Sequence, residues 1–264
     1  DDQSHGTHTS GTMAAVGNNG VGVVGVSWNS KILVCKFIDD TGNRTGADAI
    51  ECFDYLFALK QRGVNIRVSN NSWGSPREDP PAWALKDAID AAGAAGILNV
   101  FAAGNNNSDN DAIPFDPAGF ASPSIIAVAA SDDLDNRASF SNYGATSVHL
   151  AAPGTFILST YPDAGYFIAD GTSMAAPMVS RAVALLVAND STLTVDQLKA
   201  RLTTSVDVLP QWAGVVSSGG RLNVLNAIAF GANSPPTVSL SAPLQGATFV
   251  APASVPLEAA ASDS

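Results

Sequence analysis

Three residues far apart in the chain are of the types that acyl transfer needs: His5, Asn105 and Ser173. Ser173 follows a small turn, Asp170-Gly171-Thr172, and precedes a run of Met, Ala, Val and Leu that continues to about residue 188. That run is apolar nearly all round, which predicts a buried helix rather than a surface one. A serine standing alone there would be read as a helix cap. Its hydroxyl would also sit among free backbone N–H groups and the positive end of a helix dipole, which can hold an oxyanion beside a nucleophile. A serine hydroxyl is a weak nucleophile until a base takes its proton, and histidine is the usual base near neutral pH. His5 follows Ser4 and opens a short helical pattern over small residues towards Val16. Asn105 follows an apolar strand pattern, and its amide can share the oxyanion with a backbone N–H.

The elements that must position these residues alternate between strand and helix. Apolar runs predict strands over 32–38, 65–70, 97–103 and 125–130. Helical spacing predicts helices over about 47–62, 81–95, the stretch after Ser173, 194–203, and a last short one from Gly219 to Phe230. Short apolar strands with helices between them predict an α/β fold whose mainly parallel sheet is covered on both faces. Ligands gather at the carboxyl ends of such strands. Ser72-Trp73-Gly74 and Gly104-Asn105 both fall at carboxyl ends, on one rim.

Composition narrows the function classes. The 264 residues are 46% hydrophobic and 14% charged, enough for one large core and a small second unit. A net charge of -11 argues against nucleic acid and anionic membranes as partners. No run of about 18 apolar residues is free of polar breaks, so no membrane span is predicted. Residue 1 already lies inside a motif, so the chain is expected to start within a longer protein, without a signal peptide. Gly231 to Pro236 reads as a linker, and beyond it Val238, Leu240, Val255 and Leu257 alternate with polar residues as in half-buried strands. Cys35, on the 32–38 strand, and Cys52, on the next helix, could form a disulfide or remain two buried thiols. His5 and His8 could share a helix face, but no third zinc ligand stands at a recognisable spacing, and His8 reads as structural. The glycine-rich loop from Gly17 to Val26 does not form G-x-G-x-x-G between a strand and a helix; it reads as a tight turn whose carbonyls could hold calcium.

Together the motifs resemble the subtilisin-like serine proteases, the subtilases. His5-Gly6-Thr7-His8 with Gly11 is similar to the family's histidine motif, and Gly171 to Pro177 to its serine motif. Ala102-Ala103-Gly104-Asn105 resembles the oxyanion segment, and Asn71-Ser72-Trp73-Gly74 the strand that lines substrate. Ser139 to Gly144 and Ala151 to Gly154 are further family-like segments. The resemblance implies a three-layer subtilisin-like catalytic domain over 1–231 that lacks its N-terminal part. A linker at 232–236 and the first strands of a truncated, Ig-like β-sandwich over 237–264 complete the expected organisation. It implies a secreted or cell-surface endopeptidase that acts on polypeptides as a monomer, made with a propeptide, and needing no cofactor for catalysis. Ser173 would attack, His5 would carry the proton, and Asn105 with the Ser173 N–H would bind the oxyanion. Ser72, Trp73, Gly74, Ala102, Ala103 and Gly104 would hold substrate, and Asn19 would belong to a structural calcium site.

The chain departs from the family pattern at several points. The orienting Asp of the triad is expected upstream, because Asp1 and Asp2 stand too close to His5 in sequence. That makes a catalytically inactive, peptide-binding module the alternative, and this stretch alone is expected to be inactive. Met178 replaces a common His and should pack in the core, Ser180-Arg181 replace a small pair, and His149 replaces a common Asp. Arg181 must reach the surface or find a partner. Trp73, Asp116 and Phe120 are candidates for shaping the cleft.

Overall fold

The computed structural model describes residues 3–78, 82–230, 237–243, 247–250 and 254–262. The chain divides into a large unit, Asp1–Ile228, and a small one, Ala229–Ser264.

The large unit is built on a six-stranded sheet. In chain order its first elements are α1 (His5–Ala14), α2 (Gly46–Gln61), β1 (Val68–Asn71), β2 (Ser75–Pro76), α3 (Trp83–Ala94), β3 (Leu98–Ala102), β4 (Phe115–Asp116) and β5 (Ile125–Ser131). There follow β6 (Leu150–Pro153), β7 (Ile157–Tyr161), β8 (Gly165–Ala169), α4 (Thr172–Asn189), α5 (Val195–Thr204), β9 (Asp207–Val208), β10 (Gly220–Arg221) and α6 (Val224–Ala229). The sheet order is β1-β3-β5-β6-β10-β9, parallel except for β9 against β10. A strand's side chains alternate between faces. Leu98 and Val100 of β3, with Ile126 and Val128 of β5, therefore meet Val179, Val183 and Leu186 of α4 on one face. Phe101, Ile125 and Ala127 meet Phe53, Leu85 and Ile89 of α2 and α3 on the other. The three layers expected from the alternating pattern are present.

Two boundaries differ from the sequence reading. Residues 32–38 form no strand: they pair with no other described segment, and Val34 is 72% exposed. A run of apolar residues has strand propensity, but ladder hydrogen bonds make the strand. The segment is held instead by the Cys35–Cys52 disulfide to α2 and by an edge-on contact of Phe37 with Trp73. The last helix starts at Val224 rather than Gly219, because Gly220 and Arg221 pair with Val208 and Asp207.

The β7–β8 hairpin was not foreseen. Its turn passes through Asp163 and Ala164, both at φ 58°. The hairpin seats α1: Ser159 Oγ donates to the His8 carbonyl at 2.7 Å and Thr160 Oγ1 to the Thr7 carbonyl at 2.9 Å.

In the small unit, β11 (Thr237–Ala242) and β12 (Glu258–Ser262) form an antiparallel pair. Two strands alone enclose no core, so this pair does not define a sandwich. The predicted linker 232–236 lies outside the described residues, as do Asp1 and Asp2.

Candidate active site

The site begins with a proline. Pro177 lies inside α4 and has no N–H to give the carbonyl four residues back, that of Ser173. Ser72, just past the end of β1, fills that vacancy: its Oγ donates to the Ser173 carbonyl at 2.8 Å. In return Ser173 Oγ donates to the Ser72 carbonyl at 3.3 Å. The helix start and the strand tip are thus tied together twice, which fixes Ser173 against the sheet rim.

Thr172 organises the other side. Its Oγ1 accepts from Gly104 N–H at 3.1 Å and donates to Asn105 Oδ1 at 2.8 Å, while its own N–H donates to the same Oδ1 at 2.9 Å. With its oxygen held twice, the Asn105 amide is fixed beside the start of α4, its Nδ2 3.5 Å from where a Cβ on Gly171 would lie. Gly104 permits this approach: it has φ +110°, and a Cβ there would lie 2.4 Å from Asn142 Nδ2. Asn142 Oδ1 in turn accepts from Asn106 and Ser108 N–H and shapes the loop after Asn105. The Ser173 N–H precedes the first intrahelical acceptor, and neither it nor Asn105 Nδ2 has a hydrogen-bond partner among the described residues. Two open N–H donors beside a hydroxyl are what a developing oxyanion requires.

His5 stands at the first turn of α1 and lines the same cleft, of about 1760 Å³, as Ser173 and Asn105. Water reaches its ring, yet the surrounding protein lowers its pKa by desolvation, with the charge of nearby His8 a smaller cause. At neutral pH it is therefore an unprotonated base. No hydrogen bond joins it to Ser173 or to a carboxylate among the described residues.

Ser72, Trp73, Gly74, Ala102 and Gly104 share the cleft, but Ala103 does not. Ala103 is fully buried on the opposite face, beside Trp212 and Val216. Asp116 and Phe120 also leave the cleft: Asp116 takes a two-point ion pair from Arg77, and Phe120 is buried beside Trp83. Phe115 occupies the place expected of them. Its ring lies where a Cβ on Gly74 would be 2.4 Å away and one on Gly104 3.0 Å away, so it fills the floor between the two rim segments.

The remaining sequence candidates have structural roles. His8 Nε2 lies 3.0 Å from the carbonyl oxygens of both Ile157 and Phe167 and clamps the hairpin to α1. Asn19 Oδ1 accepts from Val21 N–H at 3.0 Å. Calcium takes six to eight oxygens, usually several of them carboxylate. No group of three or more His, Cys, Asp or Glu able to hold an ion occurs among the described residues, so an ion at the Asn19 turn would have to be held by carbonyl and amide oxygens. Met178 packs against the α4-side core as expected. Arg181 neither reaches the surface nor finds an acid: it is 4% exposed, and its Nη2 donates to the Ser30 carbonyl at 3.3 Å.

Comparison with known proteins places this constellation. Residues 1–231 match the subtilase family, and the chain belongs to it. It is 39% identical to subtilisin DY of Bacillus licheniformis over 207 residues, which cover 78% of this chain and 71% of that protein. Identity to a subtilisin of Bacillus pumilus is 37% over 210 residues, 79% of this chain and 72% of that one. With subtilisin E of Bacillus subtilis it is 37% over 210 residues, and the match spans 52% of that longer protein.

Proposed function

We propose that the protein is a serine endopeptidase working through an acyl-enzyme. The observation that carries this reading is the pair of open donors, Ser173 N–H and Asn105 Nδ2, beside the Ser173 hydroxyl. Family membership and the subtilisin relatives support it. Ser173 Oγ leaves the Ser72 carbonyl, attacks the scissile carbon and passes its proton to neutral His5. The oxyanion is held by Asn105 Nδ2 and Ser173 N–H, and His5 returns the proton to the departing amine. Water then repeats the sequence on the ester. Substrate lies extended against Ser72–Gly74 and Ala102–Gly104 as an added strand. With Phe115 on the floor between those segments, the side chain next to the scissile bond is small. A disulfide between Cys35 and Cys52 suits an oxidising, extracellular setting.

One observation favours the alternative, an inert peptide-binding module: His5 has no carboxylate to orient it, and Ser173 Oγ is bonded to Ser72 rather than to His5. The endopeptidase reading places that carboxylate outside residues 1–264.

A single labelling experiment tests the reading. Peptidyl diphenyl phosphonates, differing only in an Ala or Phe analogue at the reacting position, are incubated with the folded chain, and the modified residue is mapped. Slow labelling confined to Ser173, faster with the Ala analogue and absent in Ser173→Ala, is expected. Ser173 that stays unmodified in folded parent protein carrying the orienting carboxylate would sink the hydrolase reading, and a preference for the Phe analogue would sink the role given to Phe115.

A further inference from the structure

We propose that Arg44 selects an acidic side chain in the substrate, at the second residue before the one that reacts. Its guanidinium, which caps the Gly74 carbonyl, gives that carbonyl up to the substrate backbone and pairs with the carboxylate. The inference rests on the reading of Ser72–Gly74 as the edge that receives substrate. Carbonyls two residues apart along an extended segment open to the same edge. Both acceptors of this edge are already taken: Ser173 Oγ donates to the Ser72 carbonyl at 3.3 Å, and Arg44 Nη2 to the Gly74 carbonyl at 3.0 Å. A substrate strand needs both for its own N–H groups. The first exchange frees the nucleophile, and the second frees a cation.

The backbone around Arg44 is held from both sides, so the side chain is the part free to move. Before it, Asp39 Oδ1 accepts from the N–H groups of Thr41 and Asn43 at 2.9 and 2.8 Å and from Thr41 Oγ1 at 2.7 Å. After it, Thr45 starts α2 through a capping box with Asp48. At the base of the loop Cys35 is bonded to Cys52. Among the described residues the guanidinium makes its one hydrogen bond to Gly74 and enters no ion pair.

The nearby acids are engaged elsewhere. Asp39 organises its own turn, and Asp48 Oδ2 accepts from Thr45 N–H at 2.9 Å and Thr45 Oγ1 at 2.6 Å. The cleft lining itself contains no Asp or Glu among the described residues. A guanidinium on a neutral carbonyl keeps its full charge, and its planar fork fits a carboxylate better. The position it reads follows from the edge. Ser72 and Ser173 are bonded in both directions, so the substrate residue against Ser72 is the one that reacts. Gly74 stands two residues on, and an antiparallel substrate sets the second residue before the reacting one against it. When the N–H of that residue takes the Gly74 carbonyl, the displaced guanidinium is left beside its side chain. Arg44 is exposed, so the pair stays in contact with water and its effect is a few-fold.

A reacting probe fixes the register for the test. Acetylated tetrapeptidyl diphenyl phosphonates, alanine throughout, carry one Asp or one Asn at each position before the phosphonate in turn. Labelling of Ser173 is timed in the folded parent protein carrying the orienting carboxylate. The Asp/Asn rate ratio is expected to reach about three- to fivefold at the second residue before the phosphonate and to stay near one elsewhere. Raising the salt concentration should shrink it. Arg44→Met should bring the ratio to about one, Arg44→Lys should keep part of it, and Arg44→Glu should reverse it, with Lys preferred to Asn at that position. Where Ser173 does not label, the same sequences as acetylated, amidated peptides are bound to the Ser173→Ala parent protein in calorimetry, and the best Asp peptide is compared with its Asn counterpart. Equal ratios at all positions, a maximum at another position, a ratio that survives Arg44→Met, or peptides that neither label nor bind would overturn the proposal. An Asp preference in binding without any labelling fails the hydrolase reading and leaves this one standing; labelling without the preference does the reverse.

Discussion

The two sides of Ser173 are built to different degrees of completion. On the side of β3, β5 and α4, each polar group near the nucleophile has a partner or faces the position of an oxyanion: Thr172 holds Gly104 and Asn105, and Asn142 holds the loop beyond. On the side of α1 and residues 31–38, among the described residues, His5 lacks an orienting carboxylate, the edge of β1 is open and Arg181 has a backbone carbonyl but no acid as partner. The donors beside Ser173 are held by the end of β3 and the start of α4, whereas the His5 imidazole has no carboxylate to orient it among the described residues.

The sharpest way to break the comparison is to damage the completed half. Asn105→Leu removes the Nδ2 donor and leaves Thr172 Oγ1 without its acceptor. Loss of the oxyanion-hole asparagine costs subtilisin about 10²–10³ in kcat, and the same range, carried over from that relative, is expected for the phosphonate labelling rate of Ser173. Thr172→Val keeps the amide but loosens its hold, and should fall between the variant and the parent. Labelling rates within twofold of the parent for Asn105→Leu would mean that the open donors do not meet the oxyanion.

The difference between the halves also explains what could be read from the sequence. Ser173, His5 and Asn105 were legible because each stands at a local signal: a helix start after a turn, a helix start after Ser4, and a strand end followed by Gly-Asn. The three layers were legible because the strands β3 and β5 are short, apolar and separated by periodic helices. Residues 32–38 misled because propensity is local whereas a strand needs a neighbour, and none is present. Phe115 and Thr172 were missed because their roles come from contacts across long separations, with Gly74 and Gly104 in one case and Asn105 in the other. The β7–β8 hairpin did carry a signal, two β-prone runs around Pro162-Asp163-Ala164-Gly165, but Ala164 at positive φ hid the turn. That Pro177 frees the Ser173 carbonyl could have been inferred from helix geometry, since that carbonyl lies four residues back, but its partner Ser72 comes from a contact across the chain.

Acid sharpens the contrast from another direction. His149 precedes β6, and its Nδ1 accepts from Ala127 N–H at 3.0 Å. Burial, with a smaller contribution from Lys199, lowers its pKa to about 3. Below pH 6.5 the unfolded chain takes up a proton that the folded chain refuses, so stability rises with pH across the window from about 3 to 6.5 and is lost as pH falls through it. Between pH 6.5 and 4.5 the loss should be about 2–3 kcal/mol. His149→Gln offers a neutral acceptor and should lose that much less over the same range. Urea midpoints of the two proteins against pH check this; parallel curves would show that His149 titrates normally in the fold.

The smallest expected effect is the most direct comparison of the two regions, because one substitution is made in both. Val128 of β5 is fully buried between β3, β6 and α4. Deleting two of its carbons loses about 0.8 kcal/mol each in transfer, with a cavity cost on top, so Val128→Ala should destabilise by roughly 2 kcal/mol. Val34, at 72% exposure beside the open cleft, has little burial to lose, and Val34→Ala should stay within about 0.5 kcal/mol. Denaturant unfolding of both variants measures the difference.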